Sequence, residues 1–233
     1  MANIIDLPDF MFNRIDRNKI PKLKKIILFI KGLIVGLINK HANGKTYTRL
    51  INLMFTNANI EFDDGLYRKK IDDIFTIYYP NKRIDRVILD PKGNFDFLFI
   101  SYCLDKIDFK KDDLVVDCGA NVGDLLLYFK HKNFKISYLG IEPSPEEYSC
   151  LEINAKDYTH SNIGLWNKKA EKTFFVSSDG ADSSLITPST FDSKIDIKCD
   201  RLDNLLSDNK NVKLLKLEAE GAEPEVLDGA STI

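Results

Sequence analysis

The sequence predicts an α/β fold with a parallel sheet, and two observations support this. Short apolar runs bounded by charges alternate with helical patterns, most clearly at residues 112–118 and 136–141. A turn containing two glycines then joins the first run to a helical pattern over 125–132. Strand, glycine turn and helix in this order are typical of doubly wound sheets that bind a nucleotide at the turn. We therefore predict a Rossmann-like sheet, preceded by a mainly helical N-terminal extension.

The predicted extension covers residues 1–60. A helix is expected over 22–40, where Pro21 provides the start signal, and residues 26–38 of it are apolar almost all round. Such a run is shorter than the roughly 20 residues that span a bilayer. We favour a helix buried within the extension. The alternatives are an interfacial helix on a membrane surface and a spanning helix.

The remaining part of the chain, residues 61–233, is the predicted α/β domain. Residues 57–65 are polar and rich in turn formers, so the boundary is placed within them. A second helix over 46–56 precedes this boundary. Strands or a hairpin over 67–79 follow it, and a further helix is expected over 95–104.

Strands and helices continue to alternate after the glycine turn. The predicted order is strand 137–142, helix 145–155 with Ser144 as its cap, strand 161–165, β-rich segments 172–177 and 195–199, helix 202–206, strand 212–218, and a helix from Ala222. Sheets of this type usually carry about five to seven strands. The main sheet has fewer predicted strands than that, so we expect the C-terminal strands of the complete sheet to be missing from this chain.

The composition is that of a soluble globular protein, since 44% of the residues are hydrophobic and 29% are charged. The net charge of −2 conceals an asymmetry, because residues 1–50 contain ten Lys and Arg against three Asp. Such a basic region is either a solvated face or a contact with an anionic membrane. Peripheral membrane contact through residues 22–40 is therefore kept open, and no nucleic-acid partner is expected.

The cysteines indicate a reducing compartment. Cys103, Cys118, Cys150 and Cys199 lie far apart without paired spacing, and the chain has three histidines. No zinc-binding pattern is recognisable, so we predict no metal. Buried free thiols in a cytoplasmic protein, at most peripheral to the inner face of the membrane, fit this usage.

The glycine turn indicates the class of ligand. Gly119 and Gly123 lie four residues apart, and Asn121 stands where dinucleotide enzymes carry a second close glycine for the pyrophosphate. Asp117 at the strand end would repel a phosphate but attract an amine. Glu142 ends the next strand, where this fold class holds ribose hydroxyls. S-adenosylmethionine combines a ribose, an ammonium and a carboxylate, and the helix N-terminus would attract the carboxylate.

Three segments resemble the FkbM family of S-adenosylmethionine-dependent methyltransferases: DLVVDCGANVGDLLLYF, YLGIEPSPEEYSCLEIN and LLKLEAEGAEPEVLDGA. The resemblance begins near Gly65. It implies a class I methyltransferase fold and O-methylation of a hydroxyl on a sugar, glycan or polyketide acceptor. It places the following residues in the donor-binding motif: Asp117, Gly119, Asn121, Gly123 and Glu142. Glu218 stands where the family usually carries Asp.

Methyl transfer to a hydroxyl also needs a group that takes the proton. In the last predicted core strand Lys216, Glu218 and Glu220 alternate with apolar residues and therefore share one face. We predict that Glu218 or Glu220 is the general base or holds the acceptor, with Lys216 beside them. The structural alternatives are an ion pair with Lys216 and capping of the next helix by Glu220.

Three further residues are candidates with two interpretations each. Trp166, the single tryptophan, either stacks on the adenine or covers the core. Asp179 and Asp182 lie in a glycine-containing turn, where they either border the acceptor site or serve the turn itself.

Two other functions stay open. A nicotinamide-dependent oxidoreductase uses the same strand, turn and helix, although it needs the middle glycine that this chain lacks. A non-catalytic, membrane-associated scaffold is suggested by the basic N-terminal helix and the incomplete sheet.

Overall fold

A computed structural model describes four ranges of the chain: 21–71, 75–177, 183–206 and 211–232. They belong to two compact units, the first ending at Lys106 and the second beginning at Ile107. The predictions made for Asp179 and Asp182 fall outside the described residues. The division of the chain between residues 60 and 61 stays a prediction.

The first unit begins with two helices, as the sequence predicts. Helix α1 is Lys22–His41 and helix α2 is Gly44–Met54. Tyr47 and Ile51 of α2 are fully buried and lie one turn apart, so they form the core-facing side of that helix.

Most of the surface of α1 is exposed. Among the residues of α1 whose burial the structure describes, Gly32, Val35 and Ile38 are buried, and they lie along one side. Its exposed large apolar side chains are Leu23, Ile26, Ile27, Phe29, Ile30, Leu33, Ile34 and Leu37. The preferred prediction of a buried helix is therefore wrong, because these apolar side chains are left exposed on one broad side of the helix. Within the described ranges no helix is long and apolar enough to cross a membrane.

An antiparallel sheet follows the two helices. Its strands, in spatial order, are β1 (Ile60–Asp63), β2 (Leu66–Ile71) and β3 (Phe75–Tyr79). The turn between β1 and β2 has positive φ at Asp64 (48°) and Gly65 (81°). Asp-Gly with two positive φ angles is a strong signal for a two-residue hairpin turn. The hairpin predicted over 67–79 is confirmed, whereas the polar joint over 57–65 is corrected to a segment that contains β1.

Helix α3, Pro91–Ser101, begins four residues earlier than the prediction over 95–104. Asp90 accepts a hydrogen bond from the Gly93 N–H at 2.8 Å, so the start signals are an Asp cap and a proline in the first turn. Cys103 follows the helix with φ of 57° and is exposed. The expected burial of all four thiols is therefore wrong for Cys103 and confirmed for the other three.

A half-buried carboxylate joins three segments of the first unit. Asp85 lies in a short 3-10 helix, Lys82–Val87. It accepts hydrogen bonds from the Tyr47 hydroxyl and, at 3.2 Å, from the Asn39 amide of α1. Burial raises the pKa of Asp85 to about 6, although both hydrogen bonds oppose the rise. The C-terminal end of α1 is thus held in place by polar contacts as well as by packing.

The second unit contains the predicted parallel sheet. The strands of the second unit, which form two sheets, are β4 (Leu114–Cys118), β5 (Ser137–Ile141), β6 (Thr159–Ser161), β7 (Gly164–Leu165), β8 (Ala170–Val176), β9 (Ser193–Asp200) and β10 (Val212–Leu217). The main sheet has the order β10-β4-β5-β6 and is parallel throughout. The predicted α/β fold with a parallel sheet is confirmed.

Helices alternate with these strands as expected. They are α4 (Asp124–His131), α5 (Pro145–Asn154), α6 (Leu202–Leu205) and α7 (Glu223–Asp228). Ser144 precedes α5, but its hydroxyl donates to the Glu147 carboxylate and does not accept from a helical N–H. The predicted side-chain cap at Ser144 is therefore corrected.

A second sheet has the order β7-β9-β8. The single strand predicted over 161–165 is divided between the two sheets, because Asn162 and Ile163 separate β6 from β7. The Asn162 amide donates to the carbonyl oxygens of Glu142 (2.8 Å) and Pro143 (3.1 Å). This polar anchor fixes the chain where it leaves the main sheet.

Candidate functional site

The glycine turn lies at the carboxyl end of the main sheet, directly after β4. The backbone N–H groups of Gly119 and Ala120 both donate to the carbonyl oxygen of Ile141, each at 3.0 Å. Ile141 is the last residue of β5, so the turn closes over the end of the neighbouring strand. Ligands of open α/β sheets bind at this edge.

Three positions of the turn have an unusual backbone. Gly119 has φ of 74°, and a Cβ atom there would lie 2.0 Å from the carbonyl oxygen of Glu218. Gly123 has φ of 90°, and Asn121 between them has φ of 51°. Glycine is the residue that adopts such angles without steric cost, and asparagine tolerates them better than most. The spacing of the two glycines therefore follows from the shape of the turn and, at Gly119, from the close approach of β10.

Glu142 joins the turn through backbone hydrogen bonds. Its Oε2 atom accepts from the Asn121 N–H at 2.8 Å, and its Oε1 atom accepts from the Ser144 N–H at 2.9 Å. Burial raises the pKa of Glu142 to about 7, and the two N–H donors oppose that rise. The predicted ribose-binding acid and the predicted glycine turn are thus in direct contact.

Asp117 lies on β4 inside the sheet, where it is fully buried. It is paired in register with Gly140 of β5. A Cβ atom on Gly140 would lie 2.8 Å from the ring of Tyr138, so this glycine makes room for the tyrosine. The Tyr138 hydroxyl then donates to Asp117 Oδ2 at 2.8 Å. Burial raises the pKa of Asp117, while Lys216 and the Tyr138 hydroxyl oppose the rise.

Lys216 is a buried cation at the centre of the site. Its Nζ atom lies 3.1 Å from Asp117 Oδ1 and 3.1 Å from Glu218 Oε2. It also donates to the carbonyl oxygen of Gly119 at 2.7 Å. A single ammonium therefore holds β10, the acid of β4 and the first residue of the glycine turn together. The predicted ion pair between Lys216 and a glutamate is confirmed at Glu218.

The two candidate bases lie in different surroundings. Glu218 directly follows β10, and its side chain is 52% exposed although it pairs with Lys216. Glu220 is exposed and has φ of 47°, in the turn that leads to α7. Its carbonyl oxygen accepts from the buried Ser184 hydroxyl at 2.6 Å. Glu223 accepts hydrogen bonds from the N–H groups of Ala219 and Gly221 and so stabilises the turn before α7. This is the structural role that the sequence suggested for Glu220.

Trp166 follows β7 in the second sheet and is half-buried. The Lys172 ammonium lies 3.8 Å from the centre of its ring, a cation–π contact. The ring also packs against the small core formed by Phe174, Ile197 and Cys199. These contacts favour the covering role, and stacking on an adenine stays a prediction.

The N-terminus of α4 completes the site. The helix starts at Asp124, immediately after Gly123, and carries this acid in its first turn. Free N–H groups and the helix dipole attract an anion at such a terminus, whereas the Asp124 carboxylate attracts a cation. A group that carries both signs suits this position better than a carboxylate alone.

Tyr138 and Ser184 hold the site together but were not among the predicted site residues. A tyrosine in a strand that is otherwise buried needs a partner for its hydroxyl, and Tyr138 satisfies that need at Asp117. The need for a partner could be read from the sequence, whereas the identity of the partner could not. Ser184 is buried because its segment pairs with Phe175 of β8, which depends on chain folding that no local pattern reveals.

Comparisons with known proteins agree with this geometry. The family model described as "Methyltransferase FkbM domain" matches residues 117–233. "Methyltransferase 1" of Beauveria bassiana (strain ARSEF 2860) is 29% identical over 161 residues, covering 57% of this chain and 64% of that protein. "Methyltransferase sdnD" of Sordaria araneosa is 27% identical over 174 residues, covering 57% and 66%. The chain thus spans just under two thirds of the length of these relatives.

A crystal structure of methyltransferase FkbM from Methylobacillus flagellatus KT is also similar. It shares 17% identity with a TM-score of 0.40, and the match covers 62% of this chain and 41% of that one. The family match includes the glycine turn, Glu142, and Lys216 with its partners Asp117 and Glu218. It covers just more than half of the chain. The chain therefore belongs to the FkbM methyltransferase family.

Proposed function

We propose that the chain forms the donor-binding part of an S-adenosylmethionine-dependent methyltransferase. The hydrogen bond between the Asn121 N–H and Glu142 Oε2 carries this proposal, because it joins the glycine turn to the ribose-binding acid. Each carboxylate oxygen can accept two hydrogen bonds. Each oxygen of Glu142 accepts one backbone N–H, so each can also accept one of the two ribose hydroxyls. The side chains present fit the ribose of the donor.

The amino acid end of the donor fits the N-terminus of α4. That end carries an ammonium and a carboxylate, which match the Asp124 carboxylate and the N–H groups of the first helical turn. The contact of Asp117 with the ammonium stays a prediction. In the structure Asp117 lies against Lys216 and Tyr138, and it thereby positions the lysine that holds the turn.

When bound, S-adenosylmethionine supplies a methyl group on a sulfonium. The chain's own residues then have to align the acceptor oxygen and remove its proton. Alignment of reacting groups can contribute roughly 7–11 kcal/mol. In this proposal Glu218 and Glu220 bind the acceptor hydroxyl, one of them takes its proton, and Lys216 fixes the orientation of Glu218.

The proposed acceptor is a hydroxyl on a sugar, a glycan or a related secondary metabolite, as in polysaccharide biosynthesis. Family membership supports this choice. The exposed carboxylates at the end of β10 support it further, because a carboxylate accepts hydrogen bonds from hydroxyl groups and draws the proton away as the new bond forms.

Calorimetric titration with S-adenosylmethionine and, separately, with NAD tests the proposal. We expect micromolar binding of the methyl donor and none of NAD. Binding of NAD without the methyl donor would overturn the proposal in favour of a nicotinamide-dependent oxidoreductase, and binding of neither would favour a non-catalytic scaffold. Mass spectrometry of products formed from labelled donor and a panel of nucleotide sugars then identifies the acceptor.

A further inference from the structure

Helix α1 has two sides with different surroundings. The buried residues Gly32, Val35 and Ile38 are spaced three apart and lie on one side, towards the rest of the first unit. The exposed apolar side chains named above are between 43% and 71% exposed. At 100° per residue they occupy the opposite side, over an arc about 160° wide. We name these eight residues the outer face of α1.

The charges on α1 are all of one sign. Its lysines are Lys22, Lys24, Lys25, Lys31 and Lys40. The segment 22–41 contains no aspartate or glutamate. The helix therefore combines a wide apolar face with a purely basic set of charges, and three of the lysines lie at its N-terminal end.

We propose that the outer face of α1 binds an anionic lipid bilayer. The helix would lie along the membrane plane, with its apolar side chains among the upper acyl chains and its lysines at the headgroups. Lysine side chains reach from an apolar surface to charged headgroups in this way. Helix α1 has 20 residues, which gives a contact about 30 Å long. The outer face belongs to the first unit and the glycine turn to the second, and the inference does not depend on the proposed methyl transfer.

Charge decides between a bilayer and a second copy of the chain. A second copy would bring another purely basic helix against this one, and neither helix has an acidic residue to pair with the lysines. An anionic membrane supplies phosphate groups for them, and each lysine near the surface increases the binding affinity about fivefold. The outer face thus complements a lipid surface better than it complements itself.

Flotation of the chain with vesicles tests the proposal. We expect it to float with equimolar phosphatidylcholine and phosphatidylglycerol, less with phosphatidylcholine alone, and less in high salt because salt screens the lysines. The double variant Ile30→Glu, Leu37→Glu places two charges in the outer face, and we expect at least about tenfold weaker binding. The matched control is Leu53→Glu, since Leu53 is 81% exposed on α2 and outside the outer face. This control should float like the unmodified chain.

A second pair of variants tests the electrostatic part. Lys24→Gln combined with Lys25→Gln should weaken binding to the anionic vesicles by about 20–30-fold, at about fivefold for each lysine. Lys168→Gln with Lys169→Gln removes two exposed lysines from the second unit and should leave flotation unchanged. Equal far-UV circular dichroism of all variants verifies that the helices are intact.

Three results would overturn the inference. The first is that the unmodified chain stays wholly in the bottom fraction with anionic vesicles. The second is that the Ile30→Glu, Leu37→Glu variant floats to the same extent as the unmodified chain. The third is a dimer in vesicle-free solution that this variant converts to a monomer, without any flotation. That result would assign the outer face to a second copy.

Discussion

The backbone N–H of Asn121 donates to Glu142 Oε2 over 2.8 Å, and this contact ties the glycine turn to the end of the next strand. Asn121 holds a positive φ of 51° while it makes the bond. The bond orients the carboxylate before any ligand arrives. Because the carboxylate is already oriented, ligand binding loses less conformational entropy in ordering this side chain.

Replacing Gly119 should destabilise the chain more than replacing a glycine with similar φ in open space. Gly119→Ala places a Cβ atom 2.0 Å from the Glu218 carbonyl oxygen, at φ of 74°. The angle costs about 1–2 kcal/mol and the overlap about 1–3 kcal/mol more. Gly65→Ala is the control, because Gly65 has φ of 81° and a Cβ atom there would meet no other atom within 4 Å. Urea unfolding of both variants measures the difference, and equal losses would contradict the close approach.

Lys216 should stabilise the chain strongly through Asp117. Lys216→Met leaves the buried Asp117 carboxylate without its cation and should lower the free energy of unfolding by about 3–5 kcal/mol. Lys213→Met changes an exposed lysine of the same strand and should have little effect. Adding Asp117→Asn to Lys216→Met should restore part of the loss, since no buried charge remains. Urea unfolding in which the Lys216 and Lys213 variants are alike would refute the buried pair.

Donor binding should depend on pH through Glu142. Its pKa of about 7 means that the folded chain carries the protonated acid below that pH, and a protonated carboxyl is a poorer acceptor for ribose hydroxyls. The affinity for S-adenosylmethionine should therefore be about tenfold weaker at pH 6 than at pH 8, and weaker as the pH falls further. Calorimetry across this range gives the profile. Glu142→Gln should remove the pH dependence, and a variant that retains it would assign the titration to another group.

The two candidate bases should be separable by substitution. The one that takes the proton should lose about 10²–10⁴-fold in kcat when changed to glutamine, whereas a residue that only positions the acceptor should mainly raise KM. Glu218→Gln and Glu220→Gln are compared with Glu225→Gln, a residue of α7 outside the proposed acceptor contacts. Rates follow from mass-spectrometric product formation. Full activity in both variants would remove both glutamates from the proposed chemistry.

The sequence predicted the order of strands and helices along the chain because each of these elements has a local signal. Apolar runs and glycines identify β4, the turn and α4 with errors of one or two residues. The nearness of Glu142 to the glycine turn also followed, since carboxyl ends of adjacent parallel strands meet at one edge, whereas the hydrogen bond to the Asn121 N–H is a finding of the structure. These parts of the site are encoded by residues close in sequence.

Other parts depend on distant residues and could not be read locally. The pairing of Tyr138 with Asp117 requires the exact register of β4 and β5, in which Gly140 lies opposite Asp117. The exposure of α1 depends on how much of it the first unit covers, and a helix that is apolar on every side looks the same whether it is buried or bare.

We propose that Glu142 and the glycine turn together hold S-adenosylmethionine. The decisive measurement is calorimetric titration of Glu142→Gln at pH 8, beside the exposed control Glu146→Gln. We predict that the Glu142 variant binds the donor about 10–100-fold more weakly, because charge-assisted hydrogen bonds are lost. The Glu146 variant should bind like the unmodified chain. Unchanged donor affinity in Glu142→Gln would contradict the claim.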